Sequence, residues 1–156
     1  MQMSFGVSPR IAAAVVTGLF AGPALAADVI MPAARAIEVR DVLLFQQMFF
    51  EACGKATGDA ETYIRVWEEW SRQNFYHGDV ADRVLAHHGV TFDPGRNRDT
   101  NETAIAMSLG EADNARAYCA AAGLAAGKDT LNLRALRPDL FEMLVVSDRV
   151  LRKQKP

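Results

Sequence analysis

Two residue types in this chain can do chemistry at unusual sites: its two cysteines and its three histidines. Cys53 lies in "FFEACG" and Cys119 in "RAYCAAAG". A nucleophilic thiolate needs a helix N-terminus or a cationic neighbour to lower its pKa. Cys53 falls at the C-terminal end of an apolar helical run, where the helix dipole opposes negative charge. No C-x-x-C is present, so a thioredoxin-like redox motif is absent. In an exported chain an even number of cysteines reads as a disulfide framework, and two allow one intrachain pairing, Cys53 with Cys119. Ala112, Ala115, Cys119 and Ala122 share one small-residue face. Such a face permits the close backbone approach that a disulfide requires.

His77, His87 and His88 are the candidate metal ligands, since imidazole suits zinc and copper. They lack the H-E-x-x-H spacing. On an unbroken helix His77 and His88 share a face but lie ~16 Å apart at 1.5 Å per residue. One ion reaches both only if the chain folds back at Gly78. His88, just before Gly89, also fits a structural role at a helix end, where a cation meets free carbonyls. "NRDTNE" (Asn97 to Glu102) places oxygen ligands on alternate residues, as calcium loops do. It fails that pattern at the sixth position, Glu102, where Gly is needed, and at the twelfth, Ser108, where Glu is needed. Asn101-x-Thr103 is a glycosylation-type sequon, which is short and frequent by chance. Nucleophile-elbow, P-loop and dinucleotide signatures are absent. No cofactor is expected, and the chain reads as a non-enzyme.

The elements that position these residues begin after a leader. Arg10, the apolar run Ile11 to Phe20, and "GPALA" with small residues at Ala24 and Ala26 make a tripartite signal peptide over residues 1–26. The run is too short to span a bilayer, which takes ~20 residues. Cleavage before Ala27 leaves a periplasmic or secreted chain, with an extended lead-in over 27–36 and one helical domain over 37–156. No second stretch predicts a membrane span. Without Arg10 the chain has 16 basic against 19 acidic residues, a net charge of −3. That balance does not suggest nucleic acid, whose binders carry a basic stripe. The basic cluster Arg149, Arg152, Lys153 and Lys155 complements a helix C-terminus instead.

Apolar spacing is helical nearly throughout. A first helix runs from Ile37 to Cys53 and stops at Gly54. Arg40, Gln47 and Glu51 form its narrow polar stripe, with Val42, Phe45, Phe49 and Cys53 opposite. Leu43, Leu44, Met48 and Phe50 flank that face, more apolar surface than one contact covers, so this helix is central in the fold or offers a surface to a protein partner or a second copy. Asp59 caps a second helix with Tyr63, Trp67, Trp70 and Asn74 on one face, and Asn74 is assigned to its C-terminal end. A buried Asn74 would need partners, in a small polar network or at the helix end, and the helix end is preferred. Gly78 separates this helix from a third, capped by Asp79 and ended by Gly89. A helical region over 101–126 restarts at "SLGE", a capping-box spacing. Leu131 to Leu136 reads as either strand or helical turn, with "VTF" (Val90 to Phe92) as the possible strand partner. Pro138 and Asp139 open a last helix. The expectation is an all-α bundle of four to five helices tied by one disulfide. The functional expectation is a small exported accessory protein that binds a protein partner or itself. Metal handling by the three histidines is the alternative, and an enzyme with an unrecognised site the third.

Overall fold

The computed structural model describes residues 29–128 and 130–154. The leader predicted over residues 1–26 lies outside them. Six helices are described: α1 (Ala33–Thr57), α2 (Ala60–His87), α3 (Arg98–Leu109), α4 (Ala112–Gly127), α5 (Leu133–Leu136) and α6 (Pro138–Lys153). There is no strand among the described residues, so the fold is all-α. No helix among them is long and apolar enough to cross a membrane.

The bundle is organised on α1 and α2, which run antiparallel and make its most extensive contact. Two glycines predicted as breaks lie inside these helices instead. At Gly54 an added Cβ would stand 3.0 Å from Ala60 Cα, so the bare backbone lets α2 start directly against the end of α1. At Gly78 an added Cβ would stand 3.0 Å from Arg40 Nη1 and 3.3 Å from Leu43 Cδ1. Both glycines serve helix-to-helix approach, so α1 runs on to Thr57 and α2 is one helix of 28 residues. The true break is Gly58, left-handed at φ 72°. Asp59 caps α2 as expected, its carboxylate accepting from Thr62 N–H. Asp79 caps nothing; it sits within α2 and accepts from Arg83 Nε.

The other boundaries also shift for identifiable reasons. α1 begins at Ala33, inside the expected lead-in, with Pro32 as its N-cap residue. Only the short stretch before it is extended. Buried Met31 is pinned there: its N–H donates to Ser147 Oγ at 2.8 Å and its carbonyl accepts from His88 Nε2 at 3.0 Å. Ser108 does not open a capping box. Its hydroxyl donates back to the Ala104 carbonyl, and the chain breaks at Gly110, φ 57°, between α3 and α4. The Leu131 to Leu136 ambiguity resolves to helix, with Asn132 accepting from Ala135 N–H to cap α5. Merging the second and third expected helices, splitting the fourth and adding α5 turns four to five helices into six.

The core is formed by Val39, Leu43 and Phe50 of α1, Trp70, Val80 and Val84 of α2, and Leu133, Leu140 and Leu144 further on. α4 joins through small residues: Ala115, Cys119 and Ala126 are buried. Cys53 and Cys119 form the predicted disulfide, with Cα atoms 5.6 Å apart. Phe49 packs beside it, edge-on to Tyr118 at 5.7 Å.

Candidate functional site

Both cysteine sulfurs are spent in the disulfide, and both residues are fully buried. Cys53 is therefore a structural residue.

The three histidines do not converge. The fold-back at Gly78 that a shared ion needs does not occur, because α2 continues through it. His77 and His87 are then ~15 Å apart along one helix axis. The His87 and His88 rings meet edge-on at 5.2 Å, but His88 Nε2 is engaged by the Met31 carbonyl. Among the described residues no three His, Cys, Asp or Glu side chains gather as a metal would require.

His77 belongs to a buried polar network that tethers α5 to α2. Asn74 Nδ2 donates to the Trp70 carbonyl at 2.9 Å. Its Oδ1 accepts from Leu133 N–H at 3.1 Å and lies 3.2 Å from His77 Nδ1. With Oδ1 fixed as an acceptor, His77 Nδ1 must carry the proton. One turn earlier, Trp70 Nε1 donates to the Leu131 carbonyl at 3.0 Å. Two successive turns of α2 thus grip the chain entering α5, and His77 one turn on braces Asn74. Asn74 is a mid-helix clamp rather than the helix-end residue that the expected break at Gly78 implied.

Burial pushes the His77 imidazole below its ordinary pKa. The folded state therefore favours neutral His77. This contribution is fully present above the unfolded value of about 6.5 and is lost as pH falls through it toward the lower folded value. Urea unfolding at pH 7.5 and pH 5 is expected to show a stability loss at the lower pH that is smaller in His77→Gln. An equal loss in the two proteins would remove His77 as the cause.

On the far side of α2, Asp148 of α6 collects three partners. Tyr76 donates to its Oδ2 at 2.6 Å, Arg152 Nε to the same oxygen at 2.8 Å, and Arg83 pairs with Oδ1 at 2.7 Å. Burial raises this carboxyl, but the three donors together outweigh it and hold the pKa below its ordinary value. Arg152, in the expected C-terminal basic cluster, is thus committed to a side-chain ion pair. The near-calcium stretch is the start of α3 rather than a loop, where Asn97 donates to Asp41, Arg98 to Glu102, and Thr103 to the Asp99 carbonyl. Asn101 Nδ2 is buried, which puts the sequon amide out of reach in the folded chain.

An open groove of about 770 Å³ lies between α1, α2 and the loop after α2. Its floor is Trp70 and Asn74, immobilised by the network above. Leu44 and Gln47 line it from α1, Trp67 and Phe75 from α2, and Phe92 and Pro94 from the loop. Trp67 stacks on Trp70, ring centroids 5.4 Å apart and planes 24° from parallel. Phe75 is 75% exposed. At the Asp82 end, the Arg40 guanidinium lies 5.4 Å over the Phe92 ring, and its Nε is 3.2 Å from Asp82 Oδ1.

This surface coincides only in part with the one expected on the first helix. Phe50 is 0% exposed and Leu43 is buried, both within the protein's own core. Leu44 and the largely covered Leu43 line the groove, while Met48 lines a second hollow of about 630 Å³ between α1 and α3. The apolar excess of α1 is covered from several sides by α2, α3, α4 and α6. The groove residues missed in the sequence were Phe75 and Phe92. Phe75 was detectable in principle, since at about 100° per residue it falls with Ser71, Asp79 and Asp82, not with the core face. Phe92 had no local signal, because only the path of the loop brings it to Arg40. No protein-family model, curated protein or solved structure matches this chain.

Proposed function

We propose that this is an exported, non-catalytic binding protein whose groove between α1 and α2 receives a segment of a protein partner. The observation that carries this reading is the display of rings at one concave surface. Trp67, Phe75 and Phe92 line it over a floor locked by hydrogen bonds. Aromatic residues on a rigid scaffold supply contact area at little entropic cost, and they concentrate at interface centres. The charged groups along the groove support binding over catalysis, because Arg40 is paired with Asp82 and Asp79 with Arg83. Export is supported by the leader pattern at residues 1–26 and by the disulfide, which persists in oxidising compartments.

Native mass spectrometry of the protein isolated from its own cells tests this reading. The wild type is expected to carry a retained partner that Phe75→Asp loses. Phe75 is mostly exposed, so its substitution leaves the fold intact, as circular dichroism would verify. Bare protein in both samples, or a partner retained equally by both, would overturn the assignment to the groove.

A further inference from the structure

We propose that the partner segment carries an arginine, whose guanidinium seats on Phe75 and pairs with Asp79. This rests on the groove being the binding surface.

The groove already holds one guanidinium of the protein's own. Arg40 lies over the Phe92 ring and against the Asp82 carboxylate. An aromatic face attracts a cation through its quadrupole, and a carboxylate at its edge adds a charge partner. The same pair recurs one step along α2 without an occupant of its ring. Phe75 and Asp79 are four residues apart, so their side chains are neighbours on one helix face. Both line the groove. Phe75 offers an open ring, and the Asp79 side chain is 51% exposed. Asp79 uses one oxygen, Oδ2, for Arg83, and Arg83 divides its guanidinium between Asp79 and Asp148. Asp79 Oδ1 accepts no hydrogen bond from the described residues. The apolar remainder, Leu44, Trp67 and Pro94, suits aliphatic side chains flanking the arginine. An acidic segment would find no open cation there, because the Arg40 guanidinium is already held by Asp82 and the Phe92 ring.

The two tryptophans of the chain, Trp67 and Trp70, both line the groove, so intrinsic emission reports its occupation directly. The probes are the acetylated, amidated peptide ALRALLRALA and its twins with both arginines replaced by glutamine or by glutamate. The arginine peptide is expected to shift the emission saturably and to bind about five- to tenfold more tightly than the glutamine twin. The glutamate twin is expected to bind weakest. Asp79→Asn and Phe75→Leu should each shrink the arginine-over-glutamine ratio toward one, and added salt should shrink it in the wild type. Equal binding of all three peptides, abolished by Phe75→Asp, would overturn the cation preference while leaving the groove as the site. A ratio unchanged by Asp79→Asn, or no saturable shift with any peptide, would also overturn it. The retained-partner comparison then decides the groove separately.

Discussion

Reduced protein is expected to unfold in urea with a stability about 4 kcal/mol below that of the oxidised form. The disulfide joins residues 66 apart, and closing a loop of that length removes denatured-chain entropy worth roughly this amount in the chain-entropy model. The loss is a large share of the ~5–15 kcal/mol that holds a typical domain together. Its effect should concentrate on α4. That helix buries only Ala115, Cys119 and Ala126, and small side chains remove little apolar area from water. α3 is also thinly held, with Ile105 and Leu109 as its buried residues. Hydrogen exchange in the reduced protein should therefore rise first in α3 and α4, while the α1–α2 pair stays protected. Thiol titration of unreduced, denatured protein should find no free thiol. Equal urea midpoints for the oxidised protein and a Cys53→Ala/Cys119→Ala variant would show that the bond contributes nothing.

Asn74→Ala is expected to destabilise the fold by about 2–4 kcal/mol, because it leaves buried donors without acceptors. Leu133 N–H loses its partner, and so does His77 Nδ1–H. Neither regains water readily, since Leu133 is fully buried and His77 nearly so. The neighbouring Gln73→Ala, on the exposed side of α2, should be close to neutral and serves as the control. α5 should suffer locally, with its amides exchanging faster, because the Trp70 contact to Leu131 alone would then tether its entry. The floor of the groove would loosen with it. If Asn74→Ala unfolds like Gln73→Ala, the clamp is not a source of stability.

Much of the helical content was readable from local pattern. Asp59 and Pro138 marked true helix starts because capping and proline placement act within one turn. The alanine face around Cys119 foretold a close helix contact, since small side chains permit the backbone approach that a disulfide requires. Gly54 and Gly78 misled for the opposite reason. In isolation glycine disfavours a helix interior, by about 1 kcal/mol against alanine. Here each permits an approach by the neighbouring helix that a side chain would obstruct. That benefit exists only when the second helix is present, so no window of sequence contains it. The partner of Asn74 was hidden similarly, because its acceptor serves Leu133, 59 residues away.

By itself the sequence determined a helical chain, the cysteine pair and the faces of most helices, because these depend on spacing and on residue type. The tertiary structure decided that α2 is unbroken, which separates His77 from His88 and removes a shared metal site. It also decided that Phe50 is core while Phe75 is surface. Both are aromatic residues on long helices, and local pattern makes Phe50 the more plausible docking residue. The difference arises from packing. α1 lies in the middle of the bundle and spends its apolar excess inward, whereas α2 leaves one stripe beside the loop carrying Phe92, and the groove forms there.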